Sequence, residues 1–184
     1  MFIDSYYIIL VLPAIIFAMI AQAKVNTTFN KYSSVRTRRG ITGADAARAV
    51  LEANGVGGVR IERVSGNLTD HYDPRTNVIR LSDSVYDADT VAAVGVAAHE
   101  AGHAVQYAQQ YVPIKLRAAI IPVTQIGSSL AMPMIFIGMF INAFSLIKLG
   151  LIFFFMSVLF QLLTLPVEIN ASNRAIDAIA ATQI

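Results

Sequence analysis

Apolar residues fall into three long stretches separated by one polar segment. Residues 6–23, YYIILVLPAIIFAMIAQA, carry no charge. From Ala118 to Val167 the only charged residue is Lys148. About 20 apolar residues cross the hydrocarbon core of a bilayer, so 6–23, 118–147 and 149–167 are expected to be membrane helices. The polar break between the last two runs from Asn142 to Lys148, and Pro122 and Pro133 make the first of that pair irregular. Pro13 is a candidate kink in the first stretch. A cleaved signal peptide is the alternative for that stretch. Asp4, standing where a signal carries basic residues, and the length of the apolar run both favour a retained helix.

Between the stretches the periodicity changes. TGADAARAVLEANG reads as a short amphipathic helix, with Thr42 as N-cap, Asp45 three residues on and Gly55 as the stop. VRIERV, 59–64, alternates as a strand does. LTDHYDPRTNVIRLS reads as two strands joined by a turn over 73–77. A helix capped by Asp87 or Asp89 then runs to about Gln110. The chain ends in AIDAIAATQI, which reads as an unfinished helix. The expected fold class is α+β: a mainly helical membrane protein with three transmembrane helices and a small zincin-like domain holding a short β-sheet. The units are 1–23 (first membrane helix), 24–117 (polar domain), 118–167 (membrane hairpin) and 168–184 (C-terminal helix).

Composition agrees with this division. The 184 residues are 55% hydrophobic and 14% charged, more apolar than soluble domains run. Mean hydropathy is +0.58. The net charge of +2 is small, and every Lys and Arg except Lys148 and Arg174 lies in 24–117. The basic residues cluster beside apolar segments, which fits membrane orientation rather than nucleic acid as a partner. Lys24, Lys31, Arg36, Arg38 and Arg39 follow the first stretch directly. Positive charge flanking a span marks the cytoplasmic side, so residue 24 onward is expected inside. There is no cysteine. Disulfides and thiol catalysis are excluded, and any metal must be held by His, Asp or Glu.

The candidate chemistry lies in AAHEAGHAVQ, residues 97–106. His99 and His103 are four residues apart on one helix face and can bind one zinc ion together. Glu100 is rotated about 100° from His99, where it can reach a water on the metal instead. This is the HExxH arrangement of zinc metallopeptidases, with the glutamate as general base. The bland alternative is a pair of surface histidines beside a solvated glutamate. Ala97, Ala98, Ala101, Gly102 and Ala104 keep that helix slim for close approach by substrate or a neighbouring element.

Catalytic zinc usually takes three protein ligands and keeps one position open. His71 is the only other histidine, and Glu168 and Asp177 are the only acids after the motif helix. Topology favours Glu168. The chain leaves over 118–147 and returns over 149–167, so Glu168 emerges on the motif's side. Its competing reading is an interfacial glutamate snorkelling into headgroups or paired with Arg174. For the oxyanion, the available donor types are His71, Tyr72, Tyr107, Tyr111 and Arg174. His71 could equally make a structural hydrogen bond to Asp70 or Asp73, Tyr107 could simply pack, and Arg174 could pair at the surface. The strands at 59–64 and 68–81 could bind substrate as an added edge strand.

HEAGHAVQ, with LTDHYDPRTNVIRLS before it and LPVEINASNRA after two apolar spans, resembles the bacterial YugP-like neutral zinc metallopeptidases. The resemblance extends from FNKYS (29–33) to NASNRA (170–175). The wider pattern is similar to HtpX-type and CAAX-processing gluzincins, in which a membrane hairpin separates HExxH from a ligand glutamate. The resemblance implies a protease in the bacterial plasma membrane, with one zinc per chain on His99, His103 and Glu168 and with Glu100 as base. HtpX-like enzymes carry an Asp four residues after the ligand Glu, where this chain has Ser172. The group orienting the histidine is then Ser172 itself, or comes from Asn170 or Asp177. Two functional classes follow. One is an endopeptidase acting on membrane or membrane-proximal proteins from the cytoplasmic face. The other is a non-catalytic zinc-binding membrane scaffold on a peptidase frame. A zinc transporter fits less well, since transport sites sit near mid-bilayer and this motif is flanked by polar sequence.

Overall fold

The structure is a computed structural model that describes residue 9 and residues 12–182. The beginning of the expected first span, with Asp4 before it, and the last two residues of the chain lie outside the described residues. The elements are α1 (Leu12–Ser33), α2 (Gly43–Ala53), β1 (Arg60–Val64), β2 (His71–Asp73), β3 (Val78–Ser82), α3 (Val91–Ala108), α4 (Val112–Phe140) and α5 (Phe144–Thr182). The protein is mostly helical with one small sheet, and α1, α4 and α5 are long and apolar enough to cross a membrane.

Several boundaries differ from expectation. No Gly or Pro follows Ala23, so α1 continues through Lys24 and Lys31 and closes at Ser33, whose Oγ donates to the Phe29 carbonyl at 2.8 Å. Pro113 lets α4 start at Val112 rather than at 118, because proline is tolerated in a first turn. The hairpin turns over 141–143, with Asn142 at φ 53°, and not over 142–148. Lys148 therefore lies inside α5, its Nζ 4.8 Å from the Phe144 ring centre. Pro166 does not end α5, so Glu168 shares one continuous helix with the second apolar arm instead of opening a separate one.

In the polar segment the local signals hold. Thr42 and Asp45 form a reciprocal capping box on α2. The cap of α3 is Thr90, not Asp87 or Asp89: its extended backbone lets its hydroxyl accept from Ala93 N–H. The two aspartates face arginines instead, Asp87 pairing with Arg63 and Asp89 lying 3.6 Å from Arg36. The sheet order is β1-β3-β2, with β1 parallel and β2 antiparallel to β3. Central β3 buries Val78, Ile79, Leu81 and Ser82. Its residues pack with Val50 and Leu51 of α2, Ala97, Ala101 and Val105 of α3, and Ala175 and Ala178 near the end of α5. One core thus receives helix, sheet and the far end of the apolar hairpin, and α3 sits at its centre.

Candidate metal centre and active site

Gly102 sets the geometry. A Cβ there would lie 2.5 Å from the Ala171 carbonyl oxygen, so only glycine lets α3 and α5 approach this closely. Within one turn of that contact, the approach brings His99 and His103 of α3 against Glu168 and Ser172 of α5. His99 Nε2 is 3.2 Å and His103 Nε2 3.4 Å from Glu168 Oε2. Candidate ligand atoms of the three residues all lie within 4.8 Å of one another. Ligands at about 2.0–2.1 Å from a tetrahedral zinc are about 3.3–3.4 Å apart. The spacing and the chemistry of the set, two imidazoles and a carboxylate, therefore fit zinc.

The other ring nitrogens are held from behind. His99 Nδ1 lies 3.1 Å from Ser172 Oγ, so the hydroxyl that replaces the expected aspartate still reaches the imidazole. His103 Nδ1 lies 3.0 Å from Gln106 Oε1. Gln106 is completely buried. Its Nε2 donates to the Val167 carbonyl at 2.8 Å and to Asn170 Oδ1 at 2.9 Å. A carbonyl can only accept, which fixes the amide's orientation. Nδ1 of His103 must then donate to Gln106 Oε1, leaving the Nε2 lone pair to face Glu168.

Glu100 lies beside these rings, and its Oε2 accepts from the backbone N–H of Tyr72 at 3.0 Å. That amide belongs to β2 and points away from β3. Burial pushes the Glu100 carboxyl above its usual range, outweighing the opposing pull of the two neighbouring imidazoles and of the Tyr72 amide. The surrounding cleft measures about 1020 Å³. Asp70–Arg75 line one side of it, and Ile114, Arg117, Ala118, Ile121, Pro122 and Gln125 of α4 line another.

The other sequence candidates divide. Tyr107 lines the cleft, with its ring 5.5 Å from that of Tyr72. His71 is exposed at the rim and bonds neither Asp70 nor Asp73; its Nδ1 lies 2.8 Å from the Thr69 carbonyl. Tyr72 Oη donates to Asn77. Arg174 is turned away: its Nε donates to Asn170 Oδ1 at 2.7 Å, its Nη1 to Gln109, and it stacks on Tyr111. It pairs with neither Glu168 nor the cleft. Asp177 is exposed.

Two residues escaped the sequence reading. Gln106 carried a usable signal, since it stands three residues after His103 and so on the same helix face. Arg117, whose Nη1 donates to Glu168 Oε1 at 2.8 Å, carried none, since its partner lies 51 residues on in the chain.

No solved structure matches the chain. Over 170 residues, 92% of this chain and 75% of the other, it is 46% identical to the protein named "Putative membrane protease YugP" of Bacillus subtilis (strain 168). The match to a family of known description covers residues 7–184. With a donor set suited to zinc and a relative that carries that name, the chain belongs to the family described as "Putative neutral zinc metallopeptidase".

Proposed function

We propose that the chain is a zinc-dependent endopeptidase of the bacterial plasma membrane that cleaves membrane or membrane-proximal proteins. The observation that carries this is the convergence of His99, His103 and Glu168 beside the buried carboxyl of Glu100, in one open cleft. Zinc held by the three ligands would acidify a water and polarise the scissile carbonyl. Glu100 is the general base: it takes the proton of the attacking water and passes it to the leaving amine. The Tyr72 amide fixes which oxygen faces the cleft. Tyr107 is a neutral donor type on the cleft wall, available to developing negative charge.

The cleft supports the substrate class. One wall is polar, from Asp70 to Arg75, and the other, on α4, is apolar at Ile114, Ala118, Ile121 and Pro122. The outer edge of β2 lies alongside, which favours an extended peptide. In the bilayer, α1, α4 and α5 are the spans. The basic run after Ala23 supports the cytoplasmic face for residues 24–117, read as a small zincin-like domain.

Glu100→Gln is the test. The variant is expected to keep its zinc and lose about 100-fold or more in casein hydrolysis. A wild type that binds zinc and cleaves neither casein nor membrane-anchored proteins would be the non-catalytic scaffold instead. Because the chain has no cysteine, single cysteines placed at Ser65 and Asn142 report orientation directly. Labelling of position 65 from the outside of intact cells would invert the topology.

A further inference from the structure

The two oxygens of Glu168 have separate partners. Oε2 faces both histidines, and Oε1 accepts from Arg117 Nη1 at 2.8 Å. The three elements involved are different: the histidines stand on α3, Glu168 on α5 and Arg117 on α4. Arg117 is also the last cation before the apolar run of α4. We propose that Arg117 is a positioning residue that holds Glu168 to one-oxygen coordination and so keeps the fourth metal position open. The inference rests on the metal site proposed above.

A carboxylate is free to bind a metal through one oxygen or both. Two imidazoles with both carboxylate oxygens would fill four positions, so water could bind only as a crowded fifth ligand. No other side chain among the described residues bonds Oε1, and a charge-assisted hydrogen bond from guanidinium is among the stronger ways to hold it. The ion pair is only partly exposed, 29% at Arg117 and 39% at Glu168, which limits competition from water. Arg117 acts through Glu168 and needs no contact with substrate. Because it sits on α4, seating of the apolar hairpin and assembly of an open metal site become one event.

The test uses the full chain in detergent micelles, loaded with cobalt(II) in place of zinc. Cobalt(II) absorbs strongly in visible light when four-coordinate and weakly when five-coordinate. The wild type is expected to give the strong bands. Arg117→Met should still bind one metal per chain but show the weak bands, as Oε1 closes onto the ion. Its kcat should fall about 10–100-fold while KM moves much less. Arg117→Lys restores a donor and a charge, so it should retain the strong bands and most of kcat. It also carries the test if the Met variant fails to fold. Unchanged cobalt bands in Arg117→Met, or weak bands in a folded Arg117→Lys, overturn the proposal. A wild type that binds no cobalt, or binds it equally well as His99→Ala, overturns the metal site itself and is distinguishable from either.

Discussion

Gly102→Ala should separate α3 from α5. The added Cβ would lie 2.5 Å from the Ala171 carbonyl oxygen and 3.1 Å from the carbonyl carbon. An ordinary carbon–oxygen contact is about 3.3 Å, so the helices must part by about 0.8 Å. The obstacle is backbone of a packed helix, which cannot rotate away as a side chain can. Overpacking of that kind costs about 2–3 kcal/mol. Alanine recovers about 1 kcal/mol of helix propensity, leaving a net loss of about 1–2 kcal/mol. Gly95 is an internal control on the same helix, since a Cβ there meets nothing within 4 Å. Gly95→Ala should therefore stabilise by about 0.5–1 kcal/mol, the opposite sign for the same substitution. Thermal unfolding of both variants in detergent measures the difference. Zinc competition against a chelator measures the site: a separation of about 0.8 Å between the histidine and carboxylate helices should weaken metal binding about tenfold or more in Gly102→Ala only. A Gly102→Ala protein that melts no lower than wild type and holds zinc as tightly would refute the packing argument.

Gln106→Leu removes the acceptor for His103 Nδ1 and two donors, and should cost about 1–3 kcal/mol in stability with about 10–100-fold in zinc affinity, read by unfolding and chelator competition. Thr42→Ala removes the α2 capping box and should cost about 1 kcal/mol in thermal unfolding, without changing zinc affinity. The Thr76 hydroxyl foremost, then the Arg75 amide and the Arg80 guanidinium, hold the Asp73 carboxyl down to about 2 from an ordinary 3.8. A depressed folded pKa stabilises the fold above the unfolded value, so this contribution is intact above 3.8 and is lost as pH falls toward 2. The gap in melting temperature between wild type and Asp73→Asn should accordingly close on acidification across that window, and a gap independent of pH would rule the account out.

What the sequence made legible was local. The Thr42–Asp45 box, the turn at 73–77 and the i, i+4 histidines depend on neighbours in the chain, and each stands as expected. Thr90 outcompeted two aspartates as the α3 cap because bond geometry, not acidity, selects a cap, and the aspartates had arginines to face. The partner of each strand was not legible: alternation marks 59–64 as a strand but says nothing of its parallel pairing with β3. Glu168 could be singled out because few acids follow the motif helix, and the structure brings it to both histidines. Arg117 and Arg174 show the limit of that approach. Both are cations near the end of an apolar run, and only the packing of α5 against α4 and α3 turns one onto Glu168 and the other onto Gln109.

The unbroken length of α5 has a consequence for reach. Its 39 residues make a rod of about 58 Å, and Glu168 stands about 36 Å along it from Phe144. On the proposed arrangement, with Phe144 at one face of a hydrocarbon core about 30 Å thick, the carboxylate clears the opposite face by only about 6 Å. A protein tethered in the same bilayer spans that height with about two extended residues. Height above the lipid thus acts as a ruler: bonds just outside a client's own anchor are presented without unfolding, whereas those in a distant folded domain must first be drawn down to the surface.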